Sequence, residues 1–188
     1  MSIRRSLFCA TVALATLAGC GGAPERFAAP LAPSGGRIPI NVSLLEVRQV
    51  SLPSYALDEE IWYETETGAL TADSGLLWAD DPVRGVTLEL SRQLAAISGA
   101  RVAAEPWPFE ELPQARVEVR ADEFIAGANG QFRISGQYFA VALSAGGDRA
   151  SDFAVSAPIA PDSGLPGIAA ARAAAIRDLA RVIAQDGF

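Results

Sequence analysis

Residues 80–99, DDPVRGVTLELSRQLAAISG, decide how the chain is built. Val83, Val86, Leu90, Leu94 and Ile97 recur at the spacing that lines one face of an α-helix. Asp81 stands where a side-chain oxygen can accept from the free N–H groups of the first turn. Pro82 follows at the first helical position, where its missing N–H costs nothing, and Gly99 comes just past the last apolar residue. The stretch predicts one amphipathic helix with a start and a stop, and such a helix requires an apolar surface to cover.

The residues on either side supply that surface. Near the C-terminus Ile168, Ala175, Ile176, Leu179, Val182 and Ile183 share a helical face, while Arg177, Asp178 and Arg181 lie away from it. The run Ala169, Ala170, Ala171 favours helix and allows close packing. Between the two helices, stretches 101–104, 116–124, 131–143 and 152–157 read as strands, with Asn129-Gly130 and Gly146-Gly147 as hairpin turn pairs. Phe132 and Ile134 fall on one side of the third stretch and Phe139, Val141 and Leu143 on the other, so Gly136 is read as a bulge where the phase changes. Upstream, Ile38, Ile40, Val42 and Leu44 alternate as a first strand. Residues 60–65 and 76–78 read as a strand pair around a loop at Gly68 or at 73–75. The order predicts an α+β fold, a mostly antiparallel sheet with two amphipathic helices packed on one face.

The start of the chain has a different character. Arg4 and Arg5 precede an apolar run over 7–17 that is too short to span a bilayer comfortably, and small residues follow, which is the pattern of a secretory leader. Leu17-Ala18-Gly19-Cys20 resembles the lipobox of bacterial lipoproteins, in which the cysteine thiol is alkylated by a diacylglycerol and the preceding peptide bond is then cut. Cys9 would leave with the leader, so Cys20 would have no disulfide partner, and lipidation accounts for it. An ordinary signal peptide that happens to hold a cysteine is the competing reading. The division expected is a signal peptide over 1–19, a lipidated N-terminus and flexible tether over 20–36, rich in Gly, Ala and Pro, and a single domain over 37–188. A diacylglyceryl cysteine carrying a further N-acyl chain would hold the protein durably on a membrane, where one chain alone would not. Gly21 and Gly22 with no aspartate after the cysteine imply, by enterobacteria-like sorting, the periplasmic face of the outer membrane.

Composition excludes several functions. The chain has 188 residues, 50% hydrophobic and 20% charged, which is globular, and a net charge of −7 that gives no basic footprint for nucleic acid. There is no histidine, so Ser-His-Asp and Cys-His nucleophiles and histidine-ligated zinc are out of reach. All fifteen basic residues are arginine, so no phosphate loop of the GxxxxGK[ST] kind can be built. Neither cofactor nor metal is expected. Glu59, Glu60, Asp80, Asp81, Glu110 and Glu111 have the residue type for carboxylate acid–base chemistry, but each pair is adjacent in sequence and a strand would turn its members to opposite faces. Solvated surface or helix capping accounts for them. Trp62, Tyr63, Trp78, Trp107 and Tyr138 suit either a groove or the core. Leu52, Pro53, Tyr55 and Leu57, apolar residues in a loop, are the candidate partner-binding residues.

Together these features carry a resemblance. A lipobox, a first strand, Leu52-Pro53-Ser54-Tyr55, then Leu77-Trp78-Ala79-Asp80-Asp81-Pro82 leading into a helix, Glu105-Pro106-Trp107, the 116–124 strand and a late alanine-rich helix resemble the PqiC-like, or ABC-type transport auxiliary, lipoproteins. The resemblance implies a non-enzymatic, membrane-anchored partner of an MCE-type periplasmic subunit in an ABC lipid-transport system, with ATP hydrolysis in another subunit and homo-oligomerisation left open. The alternatives are a structural or scaffolding envelope lipoprotein and, further off, a carboxylate-dependent hydrolase.

Acylation is checked directly: radiolabelled fatty acid such as palmitate should enter the wild-type protein and be absent from Cys20→Ala, and label retained by the variant would remove the assignment.

Overall fold

Helix formation over 82–98 follows the sequence closely. The computed structural model describes residues 23–144 and 146–188. In chain order its elements are β1 (Glu25–Phe27), β2 (Leu44–Val47), a 3-10 turn (Ser54–Ala56), β3 (Glu60–Glu64), β4 (Leu70–Trp78), α1 (Pro82–Ser98), β5 (Arg101–Ala104), β6 (Ala115–Ala126), β7 (Gln131–Ala142), β8 (Arg149–Pro158) and α2 (Gly164–Asp186). Asp81 Oδ1 accepts from the Arg84 N–H at 2.7 Å, and Gly99 ends α1 in the left-handed conformation with its N–H on the Ala95 carbonyl. Val86, Leu90, Leu94 and Ile97 are buried, each burial being worth about 1.5–3 kcal/mol. On α2 the buried face mixes Ala169, Ala173 and Ala180 with Ile176, Leu179 and Ile183, and the small residues let the helix lie close against α1, β7 and β8. The fold is α+β, with both helices on one side of a mostly antiparallel open sheet.

Sheet order is β1-β4-β3-β6-β2-β5, with β7 and β8 continuing from the other edge of β6. The long ladders, β6 with β7 and β7 with β8, are antiparallel, as is β3 with β4. The pairings of β1 with β4, of β2 with β5 and β6, and of β3 with β6 are short and parallel. Strand β6 therefore lies at the centre. Its first half presents Ala115, Val117, Val119 and Ala121 to the core, and after Asp122 the core side passes to Phe124 and Ala126.

That change of phase is the expected bulge, but it belongs to β6. Ala121 faces Gly136 and Glu123 faces Ser135, which leaves Asp122 as the extra residue. Strand β7 keeps one phase, with Phe132, Ile134, Gly136, Tyr138 and Ala140 all inward. Ring size misled the sequence reading: small Ala140 and hydroxyl-bearing Tyr138 hold the core positions, while Phe139 lies on the other face under the Arg120 guanidinium, 4.8 Å from its ring centroid. Gly136 still matters, at φ 151°, because a Cβ there would meet the Arg120 carbonyl oxygen at 2.1 Å.

Two further expectations are corrected, and a third is decided between its two alternatives. The packed chain begins before Arg37: β1 pairs with Leu76–Trp78, Ala32 is buried, and its carbonyl accepts from Gln93 Nε2 of α1 at 2.7 Å. Residues 25–27 and Ala32 thus lie along the domain, because an open edge of β4 and the Gln93 amide of α1 take up their backbone. The strand expected from Ile38 starts instead at Leu44, as β2. Pro39 lacks an N–H and the Ile38 N–H goes to the Ile97 carbonyl of α1, so 38–42 follow the helix end with Ile38, Ile40 and Val42 half-buried. The β3–β4 turn is at Gly68, and 73–75 continue inside β4.

Gly136→Ala should lower the melting temperature, losing about 1–3 kcal/mol from the backbone conformation alone. Gly147→Ala, with nothing within 4 Å of the added Cβ, should change stability by no more than about 0.5 kcal/mol; thermal denaturation of the two variants makes the comparison.

Candidate functional site

The 52–57 loop hangs on the edge of β6. Arg48 and Ser51 donate N–H groups to the Val117 and Val119 carbonyls, Ser51 accepts from Ala121, and beyond that no strand continues until Tyr63 of β3 meets Ala126. In the gap, the Phe124 N–H donates to the Tyr55 hydroxyl at 3.0 Å. Tyr55 is half-buried against Trp62, ring centroids 6.1 Å apart. Burial pushes its phenol up, against the pull of the Phe124 N–H. Leu52 belongs to the core at 7% exposure, because the extended run beside β6 turns Val50 and Leu52 inward together. Pro53 is half-buried and Leu57 is 48% exposed. Of the four loop residues, Leu57 is thus the fully offered one, Pro53 and Tyr55 show edges, and Leu52 is withdrawn.

The remaining candidates do not converge. Trp78 and Tyr138 are in the core, whereas Trp62 stands beside Tyr55. Trp107 sits in the loop after β5, donating Nε1–H to the Glu111 carbonyl at 2.7 Å and packing edge-on to Phe109. Among the carboxylates, Glu59 pairs with Arg26 at 2.7 Å, Asp80 with Arg84, and Asp81 caps α1. Cys20 lies outside the described residues. Among the described residues no helix is long and apolar enough to cross a membrane.

One charged cluster was passed over in the sequence. Arg172, on the inner face of α2, is 5% exposed, and Glu89, on α1, is 6% exposed. Their closest approach, Nη2 to Oε2, is 3.8 Å, longer than a hydrogen bond, and neither Arg172 Nε nor Glu89 Oε1 has a partner among the described residues. The guanidinium lies over Trp78 at 4.6 Å and near Phe124 at 5.8 Å. It fits because Gly85 of α1 has no side chain: a Cβ there would stand 3.2 Å from Nη2. Both residues border a cavity of about 180 Å³ between β1, the end of β4, α1 and α2. Burial pushes the Glu89 carboxyl up, with Arg172 and Arg92 pulling it back, and burial lowers the Arg172 guanidinium from its usual value. The available signal was positional: Arg172 falls four residues after Ile168 and four before Ile176, on a face otherwise apolar.

ABC-type transport auxiliary lipoprotein components, as a family, match residues 28–184. The chain belongs to that family. No curated protein matches it. Two solved structures share the fold of this auxiliary lipoprotein. An uncharacterized protein superposes with a TM-score of 0.70 at 19% identity, over 88% of this chain and 99% of the other. Protein XCC0632 from Xanthomonas campestris does so with a TM-score of 0.67 at 15% identity, over 85% and 92%. The matched span opens at Ala28, one residue after β1, so the family domain, like the packed chain, begins ahead of Arg37.

In this lipoprotein Glu89 holds its proton more tightly when folded than when unfolded, so its contribution to stability is present at low pH and is lost as pH rises through the folded value. Gln at this position imitates the protonated form throughout. The melting temperature of Glu89→Gln minus that of wild type should therefore become more positive between about pH 4 and pH 7; a difference independent of pH would show that Glu89 titrates normally.

Proposed function

We propose that the protein is a non-catalytic, lipid-anchored partner of the periplasmic MCE-type subunit of an ABC lipid-transport system, held through Cys20 on the periplasmic face of the outer membrane. The observation that carries the reading is the match of residues 28–184 to transport auxiliary lipoproteins, joined to the resemblance of Leu17-Ala18-Gly19-Cys20 to a lipobox. Lipids crossing an aqueous compartment need a sheltered path, and a tethered receiver at the far membrane supplies an end for it. Of the candidate carboxylates, Asp81 caps α1 and Glu59 and Asp80 are held in surface ion pairs.

The contact surface proposed is the outer side of the 52–57 loop, with Leu57 as its exposed anchor and Pro53 and Tyr55 beside it. Leu52 contributes indirectly, by fixing the loop to the core. Exposed apolar residues on a loop that is itself tied to the sheet lose little entropy when a partner covers them.

The test measures association of the full lipoprotein with its purified MCE-type subunit in neutral detergent. Leu57→Asp should weaken binding by about 1–3 kcal/mol with an unchanged melting temperature. Tyr55→Ala should lower both, since the Phe124 N–H loses its acceptor, while Tyr55→Phe keeps the ring and isolates the hydroxyl. If Leu57→Asp binds as wild type the loop is not the surface, and no association of wild type would remove the transport-partner reading.

A further inference from the structure

An arginine with five N–H donors, 5% exposed and without a single hydrogen bond among the described residues, is an unusual thing to build. Removing a guanidinium from water is costly, and a neighbouring carboxylate at 3.8 Å without a hydrogen bond offsets only part of it. Contact with the faces of Trp78 and Phe124 offsets more, but a ring accepts nothing from the edge of the fork. Fold stability alone does not call for this arrangement, since an apolar residue would fill the space between α1 and α2 at lower cost.

The cavity beside it has two characters. One wall is apolar: Phe27, Ala28, Ala29 and Leu31, the last 62% exposed at the rim. The other is charged, with Arg172, Glu89, Arg92 and Asp80. Asp80 is already engaged by Arg84, so Arg172 inside and Arg92 at the mouth are the cations left to meet a ligand. At about 180 Å³ the cavity exceeds the roughly 30 Å³ share of one water several times over. Arginine forks match carboxylate and phosphate oxygens, and the apolar wall suits a hydrocarbon attached to them.

We propose that this cavity binds an amphiphilic oxyanion, a phosphoryl group joined to an apolar chain, with Arg172 and Arg92 on the phosphoryl oxygens and Phe27 and Leu31 along the chain. The wall formed by Phe27 follows Cys20 by seven residues, a reach of no more than about 25 Å even when fully extended. A protein anchored at Cys20 would therefore hold this mouth within reach of the bilayer that carries phospholipid headgroups. That part rests on the anchoring proposed above. The cavity chemistry does not, and neither part needs the MCE subunit.

The experiment uses the full lipoprotein in maltoside micelles, with bound lipid counted by native mass spectrometry and the arginine Nε–H resonances followed by NMR. The probes are dihexanoyl phosphatidylglycerol, dihexanoylglycerol, which lacks the phosphate, and inorganic phosphate. Wild type should take up one phosphatidylglycerol saturably, with a shift of the Arg172 resonance, and should bind inorganic phosphate more weakly and dihexanoylglycerol not at all. Arg172→Gln should bind the phospholipid at least tenfold more weakly. Because that variant alters a buried group, Arg92→Gln at the exposed mouth and Gly85→Ala, which crowds Nη2 while keeping every charge, provide independent arms and should each weaken binding several-fold. Leu31→Ser should weaken the phospholipid and leave inorganic phosphate unchanged. Equal binding of dihexanoylglycerol would show that no oxyanion is recognised, and equal binding of inorganic phosphate that the apolar wall plays no part. Unchanged affinity in the folded arginine variants would place the lipid elsewhere, and no saturable uptake by wild type would overturn the proposal. Leu57→Asp should leave all of this intact, so loss of the MCE contact and loss of the lipid site are separable outcomes.

Discussion

A long central strand must have its backbone groups satisfied on both edges, and β6 meets this requirement in two different ways. On one side β7 follows it for its whole length; on the other, two short strands share the edge and leave a gap. Much of the fold's irregular part follows from that gap. The chain between β2 and β3 stays beside β6, Ser51 bridges Arg120, and the Tyr55 hydroxyl accepts the Phe124 N–H in the gap. An N–H left buried without a partner would cost about 1–3 kcal/mol, so the tyrosine side chain completes the edge of the sheet at that point. The bulge at Asp122 lies in the same region and moves the inward face of β6 from Ala121 to Phe124.

Patterns that depend on neighbouring residues were read well from sequence. Both helices, the Asp81 cap, the Gly99 stop, the 101–104 strand and the meander through β8 are matters of local period and punctuation. What escaped depended on partners distant in sequence. Nothing in 23–36 indicates that β4 has an open edge to which three residues can pair, or that Gln93 will reach the Ala32 carbonyl. Likewise, bulky rings were weighted above Ala140 when faces were assigned to β7, although volume at a position reports the space available and not the direction in which the side chain points.

The same limit applies to the sites. Leu52, Pro53, Tyr55 and Leu57 were grouped by loop composition, yet the sheet divides them into a core residue, a hydrogen-bonded one and a surface one. Arg172 shows the opposite error: a charge on an apolar helical face is visible in the sequence but reads as noise until Glu89 and Gly85 of α1 and Trp78 at the end of β4 are found around it. Charged residues at core positions are worth following because the hydrophobic effect cannot account for them.

Pairing of β1 with β4 also has a mechanical meaning. Three residues, Glu25, Arg26 and Phe27, join the earliest part of the described chain to the sheet, and Arg26 adds a bond to the Trp78 carbonyl and an ion pair to Glu59. In a protein held from Cys20, any tension between membrane and transporter would reach the described part of the chain at this short parallel ladder. Force would then be delivered to β4 and the floor of the cavity before it reached the helices, making this strand the fuse of the molecule.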